Sequence, residues 1–419
     1  LYINKLYIYL YYMDIQTIGL IIGSLVLAYF IGKNIINYYK TTYVTEEGRF
    51  NNIKFSSMMM QYLYILIIIF IIIFILTITA TSETGMGRNI TLGTSASSTV
   101  SRRGVQAGAE NAINMAKIAV STYPVVILGF LIVFSISLWT MDKVTLEDRN
   151  CTAMDIKYPV GGSSLTSYVT SREFLENDMY NIFDFYYKTA YNCCCAGNYK
   201  NDYVSLCALK HCINAGVRCL DFEIYSVNNE PVIAASSSEN FTIKETYNAI
   251  PFYAAMEVIR DNAFSSGCPC AKDPLFLNFR IKSKQQDIYN QMAKDLSNTL
   301  APKLLDKKYS YQYKLNGKIR NFGKVPLKDV KGKVVIMVDG RSSLFVETKL
   351  EEFVNIATST GGIMQSVRYD TVKGSSEPME EYIDYNKTKM TLCLPNLSSQ
   401  PKNFPSFTAM NNGCQFVAM

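Results

Sequence analysis

The chain has a single histidine, His211, among 419 residues. One imidazole cannot supply a histidine acid–base pair working near neutral pH. No cysteine precedes Cys151; all eleven lie between it and Cys414. None of them shows the paired Cys-x2-Cys spacing of a zinc ribbon, which leaves zinc as a minor alternative. No basic motif or basic repeat accompanies the net charge of +6, so nucleic acid is not an expected partner. No internal repeat is present, which sets aside a stacked-repeat architecture.

What is present divides near residue 145. The first part is apolar and rich in Ile, Leu and Tyr; the second has the mixed polarity of a globular domain, long enough for a core of its own. Three uncharged segments, 15–32, 62–80 and 120–141, approach the roughly 20 residues needed to cross a bilayer. The first of them could also be an uncleaved signal anchor. Residues 1–12 read either as sequence upstream of a start at Met13 or as an interfacial aromatic segment. Between the second and third segments, residues 81–105 are rich in Ser, Thr and Gly and read as a flexible linker. The stretch GMGRNITLG inside it follows an apolar span rather than a strand, which argues against a nucleotide loop.

The intervening loops carry equal numbers of Lys and Arg, so charge does not orient the spans. The cysteines, with Asn-x-Ser/Thr sequons at Asn89, Asn150, Asn240, Asn386 and Asn396, favour an extracytoplasmic or otherwise oxidising face for the second part. The Ile, Asn, Lys and Tyr content suggests an AT-rich genome such as that of a protist or a large DNA virus. A virion membrane protein would suit the latter.

After residue 145, strand-like and helix-like patterns alternate. Strands are expected at 183–191, 217–225, 231–235, 275–281, 333–338, 364–369, 390–394 and 414–419. Helices are expected at 204–215 (stopped by Gly216), 243–263 (broken or kinked at Pro251), 285–305 and 350–358. The alternation argues for parallel strands, and about eight of them is the number that closes a (β/α) barrel.

Three blocks carry a resemblance to a known family. They are CALKHCINAGVRCLDFEIYSVNNEPVIAASSS from residue 207, PLFLNFRIKS from residue 274, and LPNLSSQPKNFPSFTAMNNGCQFVAM from residue 394. Together the stretch 157–419 resembles the phosphoinositide-specific phospholipases C. The resemblance implies an α/β fold, a PLC-like (β/α)8 TIM-type barrel, here preceded by an N-terminal helical transmembrane region. It also implies a site at the C-terminal ends of the strands.

In that family one histidine acts as base or oxyanion donor and a second protonates the leaving group, with Ca2+ in metal-using members. The resemblance puts Tyr191 and Ala235 where the two imidazoles belong, so the chain reads as catalytically degenerate. Asn192, Asp221 and Glu223 match metal-ligand positions, while Arg280 stands in the place of a third carboxylate, where it would repel Ca2+ and could neutralise both acids. Arg341 is the one cation near the strand that usually carries phosphate-binding lysines; Met337 and Asp339 replace the others. Ser398 and Ser399 match the family's substrate-contacting serines and also read as turn residues. His211 falls on the outer wall. Cys219 and Cys414 match buried core positions. Cys193, Cys194, Cys195, Cys207, Cys212, Cys268 and Cys270 could form two or three disulfides, and a nucleophilic cysteine at 193–195 is a minor option.

The expected function is therefore a membrane-anchored, non-catalytic PLC-like barrel with a structural or interaction role. The alternatives are an active phosphodiesterase with altered residues and a phosphoinositide headgroup-binding module. The expected partners are the lipid bilayer and anionic lipid headgroups, with no nucleic acid. No cofactor is expected, with Ca2+ entering only if the degenerate site still binds it.

Overall fold

The computed structural model describes residues 129, 132–159, 172–239, 242–315, 317–340, 343–359, 362–374 and 379–419. The chain separates into two compact units, 1–143 and 144–419. The segments 15–32 and 62–80 lie outside the described residues, as do the linker 81–105, Arg341 and most of 120–141. Among the described residues no helix is long and apolar enough to cross a membrane.

Among the described residues twelve strands are formed: β1 (Tyr187–Ala190), β2 (Cys219–Val227), β3 (Glu230–Ala234), β4 (Ile250–Pro251), β5 (Leu275–Ile281), β6 (Lys314–Leu315), β7 (Lys318–Ile319), β8 (Val334–Asp339), β9 (Ile356–Thr358), β10 (Met364–Arg368), β11 (Met390–Leu394) and β12 (Phe416–Ala418). Eight of these follow one another in the order β10-β11-β12-β1-β2-β5-β8-β9, each pair parallel. The two ends of that path meet where the Ser359 amide donates to the Met364 carbonyl at 2.9 Å. The result is a nearly closed parallel barrel whose strand C-termini share one rim.

Two expectations are corrected by this topology. The segment at 231–235 is not a barrel strand: β3 pairs antiparallel with β2, and β4 with β3. Asn228 and Asn229, both at positive φ (54° and 62°), make the two-residue turn that forces the hairpin. The missing eighth strand is β9, inside the segment expected as helix 350–358. Leu350, Phe353, Val354 and Ala357 have helical spacing, but only Glu351–Phe353 turns, as a 3-10 helix. Pairing with β8 wins from Ile356 onward, secured by the Asn355 side chain, which accepts from the Ile336 amide (2.8 Å) and donates to the Tyr309 carbonyl (3.2 Å).

Alternation along the strands sorts the side chains. Leu220, Phe222 and Ile224 of β2, Leu277 and Phe279 of β5, and Ile336 and Val338 of β8 pack outward. Their neighbours are the inner faces of helices, including Met256 and Ile259 of Phe252–Asn262 and Ile288, Met292 and Leu296 of Gln286–Leu300. The first of these helices starts after Pro251 rather than running through it, because proline suits the residue preceding a helix and not its interior. Inward, the barrel floor is aromatic: Tyr187 stacks on Phe416 at 4.7 Å, and Phe276 meets both edge-on. Higher up the interior turns polar, with Asp221 and Glu223 on β2 and Asn278 and Arg280 on β5. The register Asp221↔Asn278 and Glu223↔Arg280 puts them side by side.

Outside the barrel, helix α1 (Leu146–Lys157) buries no residue, so it has no apolar face to hold it. It is tied instead to helix α2 (Leu206–Asn214) by the disulfide Cys151–Cys207 and by Asp155 with His211 at 2.9 Å. Asn150 adds a bond to Asp202 at 3.0 Å. His211 thus sits on the outer wall, away from the rim. The expectation of several disulfides among the rim cysteines is also corrected: Cys207 pairs with Cys151, and the nine other cysteines are free thiols. Of the sequons, Asn386 is buried, its amide donating to the Asn412 carbonyl, and Asn150 is engaged with Asp202. Asn396 lies exposed, and Asn89 and Asn240 fall outside the described residues.

Two outcomes follow for α1. The denatured, unreduced chain should titrate nine thiols, and a Cys151→Ser variant should be cut by protease within 146–157 while the barrel resists; eleven titratable thiols would exclude the tether. Although no residue of α1 is fully buried, partial burial raises the Glu147 carboxyl from 4.5 to about 7, against a partial offset from Ser205. Below that window the proton is held in both folded and unfolded states. Within it the folded state binds more protons, so stability falls as pH rises from 4.5 to about 7 and flattens above. Urea unfolding of Glu147→Gln should show most of that slope removed.

Candidate functional site

The rim gathers residues from the ends of several strands. β1 ends at Ala190, and the chain turns through Tyr191 and Asn192, which holds φ at 45°. Asparagine tolerates that left-handed backbone better than most residues. The turn aims the Asn192 amide at Asp221 Oδ2 (3.1 Å) and brings the Cys193 amide to the Asp221 carbonyl (3.0 Å).

Arg280 occupies the centre and is almost wholly buried. Its Nε donates to Asp221 Oδ1 at 3.0 Å and its Nη2 to Asp221 Oδ2 at 2.7 Å, a two-pronged match of guanidinium to carboxylate. Nη1 donates to Glu223 Oε1 at 2.5 Å, and Nη2 also reaches Asn192 Oδ1 at 2.6 Å. The remaining acceptor capacity is taken up as well. Asn278 Nδ2 donates to Asp221 Oδ1 at 2.7 Å; the Tyr225 hydroxyl and the Ser236 amide each donate to Glu223 Oε2 at 2.9 Å. Burial opposes the charge on Arg280, but Asp221, Tyr191 and Glu223 outweigh it and hold the guanidinium protonated.

The guanidinium also lies 4.5 Å from the centre of the Tyr191 ring, and Arg368 approaches the same ring at 5.6 Å. Tyr191 is thus packed between two cations. Burial pushes its hydroxyl above the usual phenol range, and the attraction of Arg280 and Arg368 only partly reverses that. It is no base at neutral pH. Ala235, fully buried just beyond β3, has no proton to exchange; its carbonyl accepts from the Glu245 amide at 2.9 Å.

These residues do not fit a calcium site. Each of the four carboxylate oxygens of Asp221 and Glu223 already accepts a hydrogen bond, and a cation lies between the two acids. Hard cations need such oxygens free. Among the described residues no group of three or more His, Cys, Asp or Glu side chains is arranged to hold a metal. Burial raises the thiols of Cys193 and Cys195 well above their ordinary value, which disfavours the nucleophilic thiolate at both. Cys219 and Cys414 are buried thiols in the strand region.

Of the other expected positions, Met337 is buried inside the barrel and Asp339 ends β8 at the rim. Ser398 and Ser399 lie in the loop after β11. The Ser398 hydroxyl accepts from the Gln400 amide (3.2 Å) and the Ser399 carbonyl from the Tyr199 amide (3.2 Å), so both serve the turn. Asn278, Tyr225, Lys282, Glu239 and Arg368 were not singled out in the sequence, yet all stand at this rim. Asn278 could have been found, since it lies two residues before Arg280 on the same face of β5. A small cavity of about 40 Å³ opens beside Arg280 and Lys282, against Tyr289 and Phe345. It has room for a water or two rather than a sugar ring.

Arg280→Met should leave two buried carboxylates without their cation and cost about 3–5 kcal/mol. The triple variant with Asp221→Asn and Glu223→Gln should recover much of that loss. Denaturant unfolding checks both; a single variant as stable as the parent chain would mean that the cluster is solvated.

Neither a family model nor a curated protein matches the sequence. Solved structures do resemble the fold. PLC21 of S. officinalis overlaps with a TM-score of 0.47 at 16% identity, covering 60% of this chain and 35% of that one. PLC21 of L. pealei gives 0.46 at 17%, covering 60% and 36%. A calcium-dependent phosphoinositol-specific phospholipase C from Pseudomonas sp gives 0.40 at 11%, covering 60% and 95%. The chain therefore spans about a third of the length of either PLC21 structure. Strand order and rim geometry stand without these likenesses, and by them the second unit is a parallel α/β barrel.

Proposed function

We propose that this chain is a non-catalytic PLC-like barrel, held at a membrane by its N-terminal region, with a structural or interaction role. One observation carries the reading. At the rim, where acid–base chemistry would have to occur, every oxygen of Asp221 and Glu223 is bound and Arg280 lies between them. The flanking positions hold a tyrosine raised by burial and an alanine. Of these described residues none is poised to take a proton near neutral pH, and no oxygen of Asp221 or Glu223 is free to ligate a cation.

Membrane attachment is supported by the uncharged segments of the sequence. It is also supported by the helical stretch leading to the second unit, where Ile136 and Trp139 are each 58% exposed. The disulfide supports an oxidising compartment for the barrel; a virion membrane is one setting consistent with it. A second reading, an anion-binding module, is favoured by two buried donors at the rim without partners, Asn192 Nδ2 and Arg368 Nε.

The full chain, assayed with several phosphoinositides with and without Ca2+, should show no phosphodiester cleavage, and Ca2+ should not shift its melting temperature. Turnover above background that is lost in Arg280→Met would sink the non-catalytic reading.

A further inference from the structure

One of the two unpartnered donors, Arg368 Nε, belongs to a side chain that makes no bond to Arg280's acids, and the other, Asn192 Nδ2, sits on the residue after Tyr191. Arg368, the last residue of β10, turns its guanidinium over Tyr191. Its Nη1 donates to the Pro395 carbonyl at 2.6 Å and to the Tyr191 hydroxyl at 3.3 Å. Its Nη2 pairs with the carboxylate of Glu239. Lys282, just past β5, donates to the Glu239 main-chain carbonyl at 2.8 Å.

Glu239 stands on the loop that follows β3, and that loop is pinned as it crosses the rim. The Ser236 hydroxyl donates to the Ser238 carbonyl at 2.7 Å, and the Ser237 amide donates to Glu245 at 2.7 Å. The loop thus delivers a carboxylate onto a guanidinium braced by a carbonyl and a phenol. That is how a protein holds an oxyanion. Yet the fit is incomplete: Arg368 Nε and the amide nitrogen of Asn192, a residue only 4% exposed, are buried without partners. A carboxylate has fewer oxygens than a phosphate with which to satisfy such donors.

Glu239 is one of the acids that set the charge of this rim, beside Asp339 near Lys282. The acids Asp221, Glu223 and Glu239 face the cations Arg280, Lys282 and Arg368. Removing Glu239 would leave two of these acids facing three of these cations, one more positive charge than in the parent chain.

We infer that Arg368, with Tyr191, Asn192 and Lys282, forms an oxyanion site whose resident occupant is the chain's own Glu239, so that a phosphomonoester binds only by displacing the 236–239 loop. This rests on the anion-binding reading of the rim and is independent of whether the barrel turns over substrate. The latch lowers affinity for external anions because the internal carboxylate competes at a high effective concentration. The same chemistry could arrive as free phosphate or as a phosphomonoester headgroup in a membrane.

Titration of the full chain with inorganic phosphate tests it. Glu239→Gln should bind at least about tenfold more tightly than the parent chain, through loss of a competing charge. Adding Arg368→Gln should abolish the gain. Vesicles of phosphatidylcholine with and without phosphatidic acid provide the second arm. Preference of Glu239→Gln for the acidic vesicles beyond its response to free phosphate identifies a headgroup site; equal response identifies a soluble anion. Hydrogen exchange on the parent chain needs no variant: phosphate, against sodium chloride of equal ionic strength, should raise exchange at 236–239. Equal affinity of the parent chain and Glu239→Gln, a gain that survives Arg368→Gln, or an unchanged loop would each overturn the inference and leave Glu239–Arg368 a structural ion pair.

Discussion

One guanidinium organises the upper half of this barrel. Strand alternation points Asp221, Glu223 and Asn278 inward, into a space with little solvent to share their charge. Two carboxylates in such a place would each shift toward the neutral acid or force the interior open. Arg280 reaches both from the adjacent strand because the parallel register sets Glu223 beside it and Asp221 one layer below. Lysine could not do the same, since only a planar fork meets two carboxylates and Asn192 at once. The cluster is weak evidence of high stability, because desolvation offsets most of the attraction. Its consequence is specificity: β1, β2 and β5 are fixed in register by a network that tolerates no slip.

The same network lets a polar interior persist. Acids buried in a barrel need a compensating charge, or the interior would have to lose them. Arg280 supplies the charge from within the fold and uses up the oxygens that a metal would need. The acids then have a structural reason to remain. The aromatic floor formed by Tyr187, Phe276 and Phe416 closes the other side, so the polar cluster is confined between packed rings and the rim.

Much of this was legible in the residues, and what was not has identifiable causes. The set Asp221, Glu223 and Arg280, and the capacity of Arg280 to neutralise both acids, were legible only through the family resemblance; the β2–β5 register is what brings them side by side. The count of eight strands was correct although one member was wrong. β3 has the composition of a barrel strand, and only the Asn228-Asn229 turn marks it as a hairpin arm. β9 was hidden because Leu350, Phe353, Val354 and Ala357 satisfy a helical period, while the pairing that decides the matter comes from β8, far away in sequence. The Cys151–Cys207 partnership spans 56 residues and was not recoverable from spacing. Arg368 and Glu239, 129 residues apart, show no local signal of their meeting.

That last pair bears on how the rim should be regarded. Arg280 is spent on structure: its donors are committed, its charge is cancelled, and burial gives it no freedom to respond to a ligand. Arg368 differs in each respect. It is partly exposed, it keeps a donor without a partner, and its counter-ion comes from a loop rather than from a barrel strand. A loop can rearrange where a barrel strand cannot, and here the anchors at Ser236 and Ser237 leave Glu239 beyond them. The rim therefore contains two arginines of opposite character within reach of one tyrosine ring. One secures the fold, and the other is held by an interaction that the chain can release without unfolding.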